Sequence, residues 1–319
     1  MEISRKLTPS LRASEIMEIF FWGVRGSIAS PGPDTVRFGG NTTCVEIRDG
    51  DEYILIDCGT GVRDAGNHIL SNFGSKNDIN ILMTHTHWDH IQGFPFFVPA
   101  FIPGNNIQVL GPHLFETPFD NVMQNQMQYS YFPVNFEQLG AEISNKTLFD
   151  EKPFQLGSIK VTPKYINHPI RTLAYRFEKD DKCIVFLTDM EPYYDVIYGG
   201  IKPDNEEVEE FEEVQAMVAL QNQTIVDFCR DADVLCIDAQ YTHAEYQTKV
   251  GWGHTSMEDA IQIAHNAKVR DLIFFHHDPM RDDDQLDRLL AHHSDRISEM
   301  KNTTIKFLDG AREKKAYKA

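Results

Sequence analysis

Six consecutive residues, His85-Thr86-His87-Trp88-Asp89-His90, carry four side chains able to ligate a metal. They follow an apolar run, residues 79–83, that reads as a strand. Alternate residues at a strand's end point the same way, so His85 and His87 can converge on one ion. Asp89 and His90, as the chain turns, can face a second. Imidazole nitrogen and carboxylate oxygen suit Zn²⁺, with Mn²⁺ or iron also compatible, and no cysteine is needed. Histidines packed so closely would repel one another if protonated and gain nothing as core. Two divalent metal ions are therefore expected, zinc by preference. Such a pair can lower the pKa of a shared water and hold a phosphate between them, the chemistry of a metal-dependent hydrolase.

The elements that must position these residues are legible around them. Short apolar or alternating runs at 16–22, 44–48, 53–57 and 79–83 are separated by Gly, Pro, Asn and Asp clusters, which reads as strands joined by turns. A second strand set covers 159–166, 172–178, 183–188, 234–238 and 272–275. Ser256 is placed to cap a helix with apolar residues at helical spacing, and 285–300 reads as a second amphipathic helix. Two strand sets, each followed by helices, imply an αββα sandwich of two sheets with helices outside.

Three segments stand apart. The Gly- and Pro-rich loop 23–40 can wall a site, with Arg25 and Arg37 as candidate phosphate contacts. The stretch 114–139 is rich in Gln, Met and aromatic residues. It reads as a helix packing its Met and aromatic face on the core, or as a lid whose Tyr129 and Tyr131 stack a base. An acidic run at 204–213 leads into a helix reaching about residue 230 and reads as a solvated face. The expected organisation is one domain over residues 1–319, with a lid insertion near 113–139 and an acidic helical insertion near 200–230.

The string T-H-T-H-W-D-H-I-Q-G resembles the metal-binding signature of the metallo-β-lactamase superfamily. That resemblance implies the superfamily's α/β fold, an αββα sandwich of two mixed β-sheets flanked by helices. It implies further ligands after later strands: His168 in Y-I-N-H-P, Asp189 in F-L-T-D-M bridging the ions, and His276 or His277 in F-F-H-H-D-P, with His276 preferred because it directly follows the strand. The full set becomes His85, His87 and His168 on one ion, Asp89, His90 and His276 on the other, and Asp189 between them.

Further strings, F-W-G-V-R-G-S, G-G-N-T-T-C, L-I-D-C-G-T-G, D-A-Q-Y and G-H-T-S, are similar to the ribonuclease Z-like branch, which includes tRNA 3′-processing enzymes and small-molecule phosphodiesterases. That likeness assigns Asp238 and His254 as a catalytic pair, with Asp89 able to orient the nucleophile. An Asp bonded to a His orients it and stabilises its cation, which can protonate a leaving group. The tRNA-processing members commonly carry a glutamate where Asp238 stands. Asp57, in L-I-D-C-G, either supports the metal ligands from behind or holds its turn.

Composition bounds the substrate. The formal charge is −18, and no Lys/Arg cluster of the kind that grips phosphates appears beyond Arg312, Lys314, Lys315 and Lys318, which read as a frayed, solvated tail. The expectation is therefore a small nucleotide-type phosphodiester, cyclic or linear, rather than nucleic acid. A thioester or lactone hydrolase, a tRNA 3′-processing endonuclease and a non-catalytic metal sensor are the alternatives. Five cysteines (44, 58, 183, 229, 236) without C-x-x-C spacing read as buried reduced thiols. The first eighteen residues show no signal-peptide pattern, and no apolar run is long enough for a membrane span. Cytoplasmic location and a possible homodimer complete the expectations.

Overall fold

A computed structural model describes residues 17–50, 52–114, 119–204 and 207–319. One seven-stranded sheet has the order β14-β1-β2-β3-β4-β5-β6. Its strands are β1 (Glu18–Gly23), β2 (Cys44–Asp49), β3 (Glu52–Ile56), β4 (Asp78–Leu82), β5 (Asn106–Pro112), β6 (Glu142–Leu148) and the returning β14 (Ala316–Lys318). The second, with the order β13-β12-β11-β10-β9-β8-β7, also has seven. It comprises β7 (Phe154–Leu156), β8 (Ile159–Ile166), β9 (Thr172–Lys179), β10 (Lys182–Leu187), β11 (Val234–Asp238), β12 (Asp271–Phe275) and β13 (Lys306–Gly310). Both sheets are mixed: β3 to β6 and β10 to β13 are parallel, and the remaining pairs are antiparallel.

The helices are α1 (Val62–Phe73), α2 (Trp88–Ile91), α3 (Phe119–Asn125), α4 (Val208–Cys229), α5 (His243–Tyr246), α6 (Met257–Asn266) and α7 (Asp283–Glu299). Between the sheets, Phe21, Ile47, Ile56 and Leu82 meet Tyr175, Phe186, Cys236 and Phe275 in one buried layer. Outside the first sheet, Val62, Ala65 and Ile69 of α1 cover Leu55, Ile81 and Val109. Outside the second, α4, α6 and α7 cover Val185, Leu235 and Leu272 through Ile225, Ile261 and Leu286. The layering is αββα, the expected sandwich.

Parallel register matters for function. Leu187 lies beside Ile237, and Asp238 beside Phe275, so β10, β11 and β12 end level. Ile56 lies beside Leu82, so β3 and β4 also end together. Residues that follow these strands share one edge, where ligands of parallel sheets collect.

Two expectations need correction. Arg312, Lys314, Lys315 and Lys318 are no frayed tail: β14 pairs with β1, Lys318 sits 3.3 Å from Glu18, and Arg312 holds Asp287 and Asp309. Hydrogen bonding to a sheet edge outweighs the polar composition. The segment 114–139 forms only the short α3 and a 3-10 turn at Phe136–Gln138, not one long helix; four of its residues, 115–118, lie outside the described chain. Its apolar residues do pack inward, Met123 and Met127 being buried against the α1 side of the sheet. The expected first strand began at residue 16, and the acidic run includes residues 205 and 206; these too lie outside the described chain.

Candidate metal centre

The ligand candidates follow the ends of strands. His85 and His87 follow β4, and Asp89 and His90 lie on the single-turn helix α2. His168 follows β8, Asp189 follows β10, Asp238 ends β11 and His276 follows β12. Asp57, Asp189 and His276 all hold positive φ, between 50° and 61°, as the chain turns off its strand. Such backbone is unfavourable for residues with a Cβ and persists where the surroundings fix it.

The side chains converge in two groups that share one residue. His85, His87, His168 and Asp189 form one, and Asp89, His90, Asp189 and His276 the other. Within each group the potential ligand atoms lie within 4.8 Å of one another. The two oxygens of Asp189 divide between them. Oδ2 lies 3.6 Å from His85 Nε2, whereas Oδ1 lies 3.2 Å from the Nε2 atoms of both His90 and His276. Asp89 Oδ2 adds a second carboxylate, 3.4 Å from His90 and 3.3 Å from His276.

The hydrogen bonds behind the rings fix which nitrogen is free. The carboxylate of Asp57 accepts from Thr84 N–H, Thr84 Oγ1–H and His90 Nδ1–H, each at 2.7 Å. Thr84 has spent its proton on Asp57, so its oxygen accepts from His85 Nδ1–H at 3.0 Å. His168 Nδ1–H donates to the Gly253 carbonyl at 2.9 Å, and His276 Nδ1–H to Gln240 Oε1 at 3.3 Å. Every one of these rings turns its Nε2 inward, toward the cluster. This is the carbonyl- or carboxylate-backed arrangement of metal-ligating histidines.

His85 Nε2 supplies the fit test for a cation. It is buried and has no hydrogen-bond partner, an expensive state that a metal ion would relieve. Protonation agrees. Burial, with neighbouring histidine charge, holds the pKa of His85 well below its usual value. Burial similarly lowers His87, and it lowers His168 to about 4 against the pull of Asp189. Burial works to raise Asp189, but His276, His90 and His85 outweigh it and keep the carboxyl ionised. Burial works to lower His90, but Asp189, Asp89 and Asp57 outweigh it and raise its pKa well above the usual value, so a cation binding there would have to displace a proton. Neutral imidazoles at His85, His87 and His168 beside an ionised Asp189 suit a divalent cation. The donor set fits the implied metals.

Asp238 and His254 stand beside this centre, Nδ1 to Oδ2 at 2.8 Å. The His254 ring stacks on His276 at 4.9 Å between centroids. Burial depresses the His254 pKa, but the charge and hydrogen bond of Asp238 outweigh it and hold it up at about 9; dications beside it would pull that value down.

The loop 23–40 does reach the site, through its backbone: Ser27 N–H donates to Asp89 Oδ2 at 2.7 Å. Its arginines do not. Arg25 is fully buried, and its guanidinium bonds the carbonyls of Gly39 and Arg281, both at 2.8 Å, and of Asp278. Arg37 pairs with Asp284 and Asp287 on α7, at 2.5 and 2.8 Å. Arg25 Nη2 is buried 3.7 Å from Asp283 with no hydrogen-bond partner, so the guanidinium is enclosed among carbonyls and that carboxylate, while the exposed Arg37 is engaged by helix carboxylates. Tyr129 and Tyr131 are exposed, the former bonding Gln138, and among the described contacts neither meets the histidine cluster. Of the adjacent pair in F-F-H-H-D-P, His276 faces the cluster, whereas His277 points away to the Ala311 carbonyl and is buried there with its pKa lowered to about 3 by burial and by Arg25.

Sequence reading missed four contributors. Thr84 and Gln240 lay inside quoted motifs but were assigned no role. Ser27 acts through its backbone, which residue type cannot signal. Glu191 is buried and accepts from Tyr246 O–H, Gly251 N–H and Gly253 N–H at 2.7 to 3.0 Å, anchoring the turn that carries His254.

The fold and the site define a metal-dependent hydrolase of the metallo-β-lactamase fold. Residues 52–204 match the family model described as a beta-lactamase superfamily domain. It is 26% identical over 292 residues to ribonuclease Z of Thermoplasma volcanium, a likeness spanning 82% of this chain and 88% of the relative. Among solved structures it resembles the metallo-β-lactamase fold protein YhfI of Bacillus subtilis (TM-score 0.62, 14% identity, 96% of this chain and 100% of that one). It also resembles the short form of human tRNase Z (TM-score 0.57, 17% identity, 94% and 98%). Among the described residues no helix is long and apolar enough to cross a membrane.

Proposed function

We propose that this chain is a binuclear metal-dependent phosphodiesterase acting on nucleotide-type phosphodiesters. His85, His87 and His168 would hold one ion, Asp89, His90 and His276 the other, with Asp189 shared. Zinc is the metal that best suits five imidazoles with two carboxylates, and Mn²⁺ or iron also suit them. The ions supply a nucleophile at neutral pH and electrostatic stabilisation of the phosphoryl oxygens. Asp57, through Thr84 and His90, holds the ligand rings in the tautomer that leaves Nε2 open. Ser27 N–H and His276 orient Asp89, which can position the nucleophile.

One observation carries the choice of reaction. The imidazole of His254 bonds Asp238, whose carboxylate favours its cation, and stacks against His276, at the edge of the centre. A phosphodiester that expels an alkoxide needs a proton at the departing oxygen, and a general acid contributes about 10²–10⁴-fold to such a step. A thioester releases a stable thiolate and needs no such donor. The Asp238–His254 pair thus favours phosphodiesters over thioesters.

For the substrate, the charge of −18 favours a small phosphodiester over a long polyanion. A second reading, RNA 3′-end processing, has its own support: relatives named ribonuclease Z align over most of both chains. They oppose the expectation that nucleic acid is not a partner. We further propose one domain throughout, with 113–139 and 200–230 as insertions. We assign the chain to a reducing, cytoplasmic compartment, with which its five buried free thiols agree.

The test is metal-analysed protein assayed on bis-p-nitrophenyl phosphate, a cyclic-nucleotide panel and a precursor tRNA, beside a thioester and a lactone. Phosphodiester turnover that falls at least about a hundredfold in Asp189→Ala supports the reading. Turnover confined to the carbonyl substrates overturns it. Cleavage of precursor tRNA with cyclic nucleotides untouched selects the RNA reading.

A further inference from the structure

The turn between α5 and His254, residues 247–253, supplies no metal-ligand candidate and meets the centre through the Gly253 carbonyl behind His168; it is firmly anchored. The buried carboxylate of Glu191 accepts Gly251 N–H at 2.7 Å and Gly253 N–H at 3.0 Å, while Tyr246 O–H closes the turn from its other end at 2.8 Å. Gly251 and Gly253 hold φ of 88° and 86°, backbone that glycine alone adopts without strain. The anchored turn presents two side chains, Lys249 and Trp252.

Their placement is set by a chain of ring contacts. The Lys249 ammonium lies 4.2 Å from the Trp252 ring centre and 5.3 Å from that of Tyr241. Tyr241 meets His254 edge-on at 5.9 Å, and His254 stacks on His276. The pair therefore stands on the His254 side of the centre. Lys249 covers one region of the indole, and Trp252 is still 58% exposed. Arg281, whose guanidinium bonds the Gln240 carbonyl, is engaged by Glu245. Lys249 makes no ion pair among the described residues.

We propose that Lys249 and Trp252 form the nucleotide subsite of this enzyme: the indole stacks a nucleobase of the substrate, and the ammonium meets its phosphate. The inference rests on the phosphodiesterase reading and names what that site recognises. Stacking on an aromatic face tolerates any base and needs no basic surface, which suits so acidic a protein. Lys249, lying over the indole, adds a positive charge at the point where base and phosphate meet. Glu191 is a positioning residue, acting through the turn.

Calorimetric titration of the zinc-loaded protein with AMP and, separately, with inorganic phosphate tests the subsite. Trp252→Ala should weaken AMP about tenfold or more, the usual worth of one stacked base, and leave phosphate within about twofold. Trp252→Phe should restore most of the AMP affinity. Lys249→Met should weaken both ligands, by about threefold. An AMP affinity unchanged in Trp252→Ala overturns the proposal, as does an equal loss for AMP and phosphate, which would mean a merely structural role. Wild-type protein that binds AMP no better than phosphate overturns it too, even with phosphodiester turnover intact. If the binding pattern appears but no phosphodiester is cleaved, the reaction assignment fails and the subsite stands.

Discussion

Replacing Asp57 by asparagine should weaken metal binding at the proposed centre while sparing the fold. The backbone at 57 has φ of 61°, a left-handed conformation that asparagine tolerates as well as aspartate. The Thr84 amide must still find an acceptor, so the amide oxygen takes the Oδ1 place and the NH₂ faces Thr84 Oγ1 and His90 Nδ1, both 2.7 Å away. His90 Nδ1 can then only accept, which moves its proton to Nε2, 3.2 Å from Asp189. The Thr84 hydroxyl, now receiving a donor, turns its own proton to His85 Nδ1, and His85 also protonates Nε2. One amide thus reverses two tautomers, one in each metal group. Loss of such supporting bonds costs about 10- to 100-fold in metal affinity. Local stability of the metal-free protein should change by about 1–3 kcal/mol, the cost of a compromised buried hydrogen bond. Zinc affinity by chelator competition, with unfolding of the apo-protein as control, measures both. Thr84→Val should weaken chiefly the ion bound by His85. Zinc affinity within about twofold of wild type in a folded Asp57→Asn protein would refute the tautomer argument.

Other substitutions separate roles. His254→Gln should lower turnover of a dinucleotide phosphodiester by about 10²–10⁴-fold yet scarcely touch bis-p-nitrophenyl phosphate, whose leaving group departs without a proton; equal losses on both would remove His254 as the proton donor. A donor works only while protonated, so activity should fall as pH rises through its pKa. Asp238→Asn, which removes the charge that holds that pKa up, should move the alkaline limb of the pH–rate profile to lower pH. Gly253→Ala should displace His168, because a Cβ there would approach the ring closer than the 3.0 Å that real Cβ atoms keep; reduced metal stoichiometry would register it, and full loading would count against the proposed placement of His168. Arg25→Met should lower stability by about 3 kcal/mol and leave KM unchanged, since its guanidinium serves buried carbonyls; a raised KM at unaltered melting temperature would return Arg25 to the substrate.

Local pattern carried much of this protein. The run from His85 to His90 announces metal chemistry because ligands that close in sequence, at a strand's end, have little else to do. Strands β8 and β11 read correctly to the residue because alternation or continuous apolarity over a few residues is a local property. The helix α1, with Gly66, Asn67 and Asn72 along it, and the half-polar strands β5 and β6 gave no such signal, and tertiary packing decided them. The cluster itself needs the fold. His168 and Gly253 are 85 residues apart, His90 and His276 are 186 apart, and only the packed sheets with their connecting turns bring them together. Charge could nominate Arg25 and Arg37 but could not reveal that carbonyls and helix carboxylates claim them. Residue types and their spacing determine which chemistry is available. Which nitrogen faces the cluster and which arginine is enclosed away from it are decided by hydrogen bonds and contacts between residues remote in sequence, and those exist only once the two sheets have packed.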